Sequence, residues 1–214
     1  MMEEPFETEA LQGVLHRPDT AAAEAFALTH GAGSDCHAPL VARMARGLAA
    51  NGYLVLRYNL PFRRERRKGP PAPGMAARDR QGIAHAIEAL RAMVPGRVFA
   101  GGHSYGGRQT AMAAAEHPAL AAGLLLLSYP LHPPTRPEQK RTAYFADLRT
   151  AALFVHGAND PFGSLEEMRE AISLIPAPTA LLPVEGAGHD LKRAPDLMAD
   201  ILERFHALVC YPEK

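Results

Sequence analysis

Phe99-Ala100-Gly101-Gly102-His103-Ser104-Tyr105-Gly106-Gly107 is an apolar run that breaks into glycines around a single serine. Gly102–Gly106 fits G-x-S-x-G, the pattern of a tight turn that joins a buried strand to a helix and carries a nucleophilic serine at its tip. Such a turn brings neighbouring backbone against the residues two before and two after the serine, which leaves no room for a Cβ at Gly102 or Gly106. It lifts the serine oxygen clear of the sheet and aims it at the helix start, where free backbone N–H groups can hold a negative oxygen. The bare pattern also fits a glycine-rich turn with a serine cap. Context separates the two: an apolar strand precedes it, and an alanine-rich helix over Tyr105–Glu116 follows and closes before Pro118.

Outward from this turn, short apolar runs alternate with longer helical patterns. Strands are predicted near Gly13–His16, Ala25–Thr29, Tyr53–Arg57, Arg97–Gly101, Gly123–Ser128, Leu153–His156 and Ala180–Val184. Several are almost continuously apolar, as strands buried on both faces are. Helices are predicted over Pro39–Ala50, Met75–Met93, Tyr105–Glu116, Ser164–Leu174 and Pro195–Val209. The first ends at Asn51-Gly52, and the fourth opens on a capping serine with Glu166 and Glu167 in its first turn. The expectation is an α/β fold: one domain over residues 1–214, a mainly parallel sheet with helices on both faces. Only about two dozen residues separate the strands at 123–128 and 153–156, too few for a full cap domain.

A serine hydroxyl is a weak nucleophile near neutrality and needs a base within hydrogen-bond reach. The base and the group that orients it are expected in loops after later strands, acid before histidine. Gly157-Ala158-Asn159-Asp160-Pro161 and Glu185-Gly186-Ala187-Gly188-His189-Asp190 occupy those two places. Asp160 and His189 are therefore the expected partners of Ser104. Asp190 adjoins His189 too closely to turn back onto its ring, Asp196 and Asp200 fall in the last helix, and Asn159 could not balance an imidazolium charge. His103 is expected to point away from the serine, and His156 to be a core histidine. An early loop, Thr29-His30-Gly31-Ala32-Gly33-Ser34-Asp35, offers the second half of an oxyanion hole. The expected donors are the backbone N–H of Tyr105 and that of Ala32 or Gly33. No G-K-[ST] closes either glycine cluster, which argues against a phosphate-binding loop.

These four stretches, with Val155-His156-Gly157-Ala158-Asn159-Asp160-Pro161 as the third, resemble the α/β-hydrolase superfamily. More narrowly the chain is similar to small dienelactone-hydrolase-like proteins, a group that includes bacterial members and a eukaryotic testis-expressed relative. The likeness runs from about residue 9 to the end, and Ser128–Pro134 (Ser-Tyr-Pro-Leu-His-Pro-Pro) resembles a loop of the narrower group. It implies an α/β-hydrolase fold with little or no cap and a carboxylesterase-like serine hydrolase acting through an acyl-enzyme. One departure stands out: dienelactone hydrolase itself uses cysteine as nucleophile, and this chain carries Ser104. A scaffold without turnover, or an acyltransferase or perhydrolase with the same triad, are the alternatives.

Composition narrows the remaining classes. Lysine plus arginine and aspartate plus glutamate each total 23, so no global field draws the chain to nucleic acid or to a membrane. The longest apolar run, Ala121–Leu127, is too short to span a bilayer. Two cysteines make no disulfide framework, and the acidic opening MMEEPFETEA is unlike a signal peptide, so a cytoplasmic protein is expected. The ten histidines include no metal-binding spacing, and neither metal nor cofactor is expected. The expected partner is a small-molecule acyl substrate, with the chain a monomer or homodimer. Two segments break the pattern, Arg63–Gly74 and Pro130–Arg149. In the first, the run Arg63-Arg64-Glu65-Arg66-Arg67-Lys68 is read as a solvated basic loop or, through Arg66 and Arg67, as a border of the cleft that favours acidic substrates. In the second, His132 is a candidate for the pocket wall.

Overall fold

A computed structural model describes residues 1–192 and 197–210. Among these residues eight strands form one sheet: β1 (Met2–Glu7), β2 (Gln12–Arg17), β3 (Ala25–Thr29), β4 (Leu54–Tyr58), β5 (Val98–His103), β6 (Leu124–Leu127), β7 (Ala152–Gly157) and β8 (Thr179–Val184). Their spatial order is β1-β2-β4-β3-β5-β6-β7-β8. β2 runs antiparallel to both its neighbours, and every pair from β4 to β8 is parallel. Six helices accompany them: α1 (Pro39–Ala50), α2 (Pro61–Glu65), α3 (Ala76–Arg91), α4 (Tyr105–Glu116), α5 (Leu165–Ile172) and α6 (Met198–Cys210).

The near-continuous apolar strands split into two cores by simple alternation. In β3, Ala25 and Ala27 face one core while Phe26 and Leu28 face the other; in β6, Leu124 and Leu126 oppose Leu125 and Leu127. Ile83, Ile87 and Leu90 of α3, Ala111 of α4 and Met168 of α5 close the first core. Leu40, Met44 and Leu48 of α1 with Ile201 and Phe205 of α6 close the second. Full burial of each such side chain is worth roughly 1.5–3 kcal/mol, so the central strands β3, β4, β6 and β7, buried throughout, are stabilised from both faces. Gly52, at φ +93°, ends α1 in a backbone conformation that suits glycine. Ser164 caps α5 in a reciprocal arrangement in which its hydroxyl accepts from the Glu167 N–H and the Glu167 carboxylate accepts from the Ser164 N–H.

The sequence pattern misses β1, α2 and a 3-10 turn at Phe145–Asp147. β1 pairs on one side alone and alternates between exposed and half-buried positions, so it needs no apolar period and tolerates Pro5. α2 is a single turn opened by Pro61. The predicted helix over Pro195–Val209 is present as α6, and its expected first residues, Pro195 and Asp196, lie outside the described residues. Apart from the 3-10 turn, residues 128–151 between β6 and β7 contain no helix or strand, in keeping with little or no cap. No described helix is long and apolar enough to cross a membrane.

Candidate active site

The loops after β3, β5, β7 and β8 meet at the C-terminal edge of the sheet, where parallel α/β folds collect ligands. β5 and α4 hold Ser104 at φ +53° and ψ −118°. That is left-handed backbone, which costs a non-glycine residue roughly 1–3 kcal/mol and persists where its surroundings over-determine it. Here they do. The Ser104 N–H donates to Leu127 O at 2.9 Å, and its carbonyl accepts the Arg108 N–H at 2.9 Å. A Cβ on Gly102 would come within 2.7 Å of Thr29 O, and one on Gly106 within 2.4 Å of His30 O. The end of β3 is pressed against the turn at both glycines.

Ser104 Oγ lies 2.8 Å from His189 Nε2, and His189 Nδ1 lies 2.8 Å from Asp160 Oδ2. A carboxylate can only accept, so this contact places the proton on Nδ1 and leaves Nε2 free to take one from the serine. Asp160 is 5% exposed, and its other oxygen accepts the Phe162 N–H at 2.9 Å. Each oxygen of the carboxylate thus accepts one hydrogen bond. Phe162 in turn lies against the His189 ring, 4.3 Å between centroids, with the His103 ring at 5.0 Å. The acid and base loops are laced together by Ala158 N–H to Val184 O at 3.0 Å and Asn159 N–H to Ala187 O at 2.9 Å. A Cβ on Gly157 would meet Ala187 O at 2.5 Å.

Competing residues fall elsewhere. The Asp190 carboxylate turns to Lys192 Nζ at 2.8 Å, Asn159 and Asp200 are exposed, and Asp196 lies outside the described residues. His103 has a role that the sequence does not announce: its Nε2–H donates to the His189 carbonyl at 2.9 Å and so anchors the base loop to the nucleophile turn. His156 donates from Nε2 to Gly163 O at 2.8 Å, with Asp160 Oδ2 at 3.8 Å. Burial holds both His103 and His156 below the ordinary histidine range.

The early glycine loop is held by its carbonyls. Gly31 O accepts from His30 Nδ1 at 2.9 Å and from the Ser34 N–H at 3.2 Å. His30 Nε2 accepts the Leu60 N–H at 3.2 Å, and burial takes its pKa down to about 4, so the ring is neutral with a fixed tautomer. Arg63, 6% exposed, donates from Nε to Ser34 O at 2.7 Å and from one terminal nitrogen to Ala32 O at 2.8 Å. It also donates to Arg66 O and Gly69 O, each at 2.9 Å. A trans peptide points its N–H opposite its C=O. With the Ala32 carbonyl turned to Arg63, the Gly33 N–H is directed the other way. Neither the Ala32 nor the Gly33 N–H has an acceptor among the described residues, and the Tyr105 N–H opens α4 without an intrahelical partner.

A family model described as alpha/beta hydrolase domain matches residues 22–204. This chain belongs to that family. Solved structures of similar shape include dienelactone hydrolase from Anabaena variabilis, at 18% identity and a TM-score of 0.74 over 100% of both chains. An alpha-beta serine hydrolase homologue from Coxiella burnetii matches at 15% identity and a TM-score of 0.71 over 95% of each chain. Est1E from Butyrivibrio proteoclasticus matches at 15% and 0.71 over 96% of each. At these identities the likeness is one of fold.

In this α/β-hydrolase-domain protein a cavity of about 460 Å³ opens above Ser104 Oγ. Gly31–Ser34, Tyr105, His103 and His189 border it, together with Pro130, Phe162 and two guanidinium groups, Arg108 and Arg141. The residues proposed from sequence for substrate contact are not in that wall. Arg66 and Arg67 are exposed on the loop after α2. His132 is buried beside it, its Nδ1 donating to Pro133 O at 2.9 Å and its Nε2 3.5 Å from Glu167. Among the described residues no three His, Cys, Asp or Glu side chains gather as a metal site.

Proposed function

We propose that this protein is a serine hydrolase that cleaves a carboxylic ester or related acyl bond through an acyl-enzyme on Ser104. What carries the reading is the unbroken relay Asp160–His189–Ser104, two contacts of 2.8 Å each, ending on a strained serine at the floor of a cavity. A scaffold would gain nothing from keeping all three groups in register.

His189 Nε2 takes the proton of Ser104 as Oγ attacks the carbonyl, and Asp160 balances the imidazolium that forms. The carbonyl oxygen becomes an oxyanion. The N–H groups of Tyr105 and of Ala32 or Gly33 stabilise it, and they need not reorganise during the reaction because Arg63 and His30 already hold the loop carbonyls away. His189 then gives its proton to the leaving atom, and the acyl group stays on Oγ. Water enters, loses a proton to Nε2, and releases the acid.

The test is labelling with a fluorophosphonate, which reports an activated serine without knowledge of the substrate. Wild-type protein is expected to label and Ser104→Ala and His189→Gln to remain blank. Folded wild-type protein that does not label would remove the enzyme reading. Product analysis with added alcohol or peroxide separates hydrolysis from acyl transfer.

A further inference from the structure

Seven arginines of this chain, Arg17, Arg46, Arg57, Arg78, Arg80, Arg91 and Arg97, each pair with a glutamate. The two in the cavity wall do not. Neither Arg108 nor Arg141 has an ion pair among the described residues. Arg108 makes no side-chain hydrogen bond there, and its Nε is buried. Of the carboxylates on α5, Glu167 is taken by Ser164 and His132 and Glu170 by Lys140 at 2.8 Å, while Glu166 is exposed.

Arg141 is nonetheless held in place. Its side chain donates to Pro130 O at 3.0 Å, its N–H to Leu131 O at 2.7 Å, and its own carbonyl accepts the Tyr129 hydroxyl at 2.6 Å. Tyr144, 2.5 Å from the Tyr129 oxygen, extends the same network. Burial, and then the neighbouring Arg108 charge, hold the Arg141 guanidinium below its usual value. Two like charges are thus drawn together, partly out of water, beside a nucleophile and with no internal counter-charge. Such an arrangement favours an anion between them.

We propose that Arg108 and Arg141 form an anion subsite that takes a carboxylate carried on the acyl chain of the substrate, as in a monoester of a short dicarboxylic acid. The leaving atom must lie against His189 Nε2. The two arginines enter instead from α4 and from residues 128–151, which carry neither base nor acid, so the acyl chain reaches them. The cavity volume and its apolar members Pro130 and Phe162 fit a short chain between carbonyl and carboxylate. The basic run at residues 63–68, the sequence-based candidate for acid preference, gives way to these two residues. As a statement about substrate this rests on the hydrolase reading; the subsite does not.

Two measurements separate them. Glutarate is titrated into the Ser104→Ala protein by calorimetry. It is expected to bind, to weaken with added salt, and to lose about tenfold or more in affinity when Arg108→Met or Arg141→Met is added. The double substitution Arg66→Ala, Arg67→Ala is expected to change nothing. In wild-type protein, kcat/KM for p-nitrophenyl hemiglutarate, after subtraction of the buffer rate, is expected to exceed that for p-nitrophenyl valerate by about tenfold. That ratio should fall toward one in either arginine variant. Should a methionine variant fail to fold, Arg108→Lys and Arg141→Lys replace it, with a smaller loss expected. No glutarate binding, or binding indifferent to both arginines, overturns the subsite. Glutarate binding without turnover of any ester keeps the subsite and overturns the hydrolase.

Discussion

Replacing Asp160 by asparagine preserves the size of the side chain and removes its charge, and the hydrogen-bond partners then dictate the outcome. The carboxylate now accepts twice, from His189 Nδ1 and from the Phe162 N–H. An asparagine can satisfy Phe162 only by turning its amide nitrogen toward His189. That nitrogen donates, so Nδ1 must give up its proton and Nε2 must carry it, facing Ser104 with nothing to accept the serine proton. The opposite rotamer keeps the working tautomer but sets the amide nitrogen against the part-buried Phe162 N–H. Leaving a buried donor unsatisfied costs about 1–3 kcal/mol. In that active minority the imidazolium also loses its charged partner, about a further 1–2 kcal/mol, the difference between a charge-assisted and a neutral hydrogen bond. The sum, about 2–5 kcal/mol, lowers turnover about 30- to 5,000-fold. His156 offers no rescue, because its Nε2–H is committed to Gly163 O.

The assay is steady-state hydrolysis of p-nitrophenyl acetate together with the rate of fluorophosphonate labelling, with folding checked by thermal melting. kcat should fall and KM stay near its wild-type value. Nitrogen NMR of the imidazole should show the proton moving from Nδ1 to Nε2. A folded Asp160→Asn protein within threefold of wild type would falsify the assignment of Asp160 as the orienting group.

Arg63→Met should lower kcat about tenfold or more while KM for a neutral ester changes little, because the loop carbonyls lose their anchor and the opposing N–H groups lose their aim. Arg63→Lys should recover part of it, and a parallel rise in KM would point to general collapse of the loop. Gly106→Ala should destabilise the fold by more than about 2 kcal/mol in urea titrations, since its Cβ meets His30 O at 2.4 Å; an unchanged midpoint would mean the turn is looser than it looks. Stability should also fall with pH. His30 is neutral in the folded protein down to about 4 and binds a proton near 6.5 when unfolded, so below 6.5 the unfolded state binds the extra proton. Its contribution is complete above pH 6.5 and is lost as pH drops toward 4, by up to about 3 kcal/mol, and His16, also brought to about 4 by burial, acts in the same direction. A urea midpoint that stays level from pH 7 to pH 5 would contradict this.

Which parts of this architecture are written locally in the sequence follows from the range of the forces involved. The nucleophile turn is legible because its constraint is steric and short-ranged: Gly102 and Gly106 sit where any Cβ would strike backbone. Asp160 and His189 are legible because strand order places their loops side by side, and the order can be counted. Arg63 is not, since a run of basic residues reads as a solvated face. Its partners are the carbonyls of Ala32 and Ser34, about thirty residues earlier and carrying no side-chain signature. Arg108 carries a local signal, one helical turn beyond Ser104 and on the same face. Arg141 had none, because residues 128–151 lack any period from which a direction could be read.

The same division bears on how the site works. The groups proposed to make and break bonds come from turns whose shape the local sequence dictates. Of the charges proposed to set loop direction and substrate preference, Arg63 and Arg141 are fixed by backbone carbonyls and belong to stretches whose sequence shows no period, while Arg108 rides on α4. Such charges can move along the chain without disturbing the triad. A fold of this kind is therefore free to keep its reacting groups and exchange the cation that faces them. On the two proposals made here, the preference of this protein lies in Arg108 and Arg141, and its chemistry in Ser104.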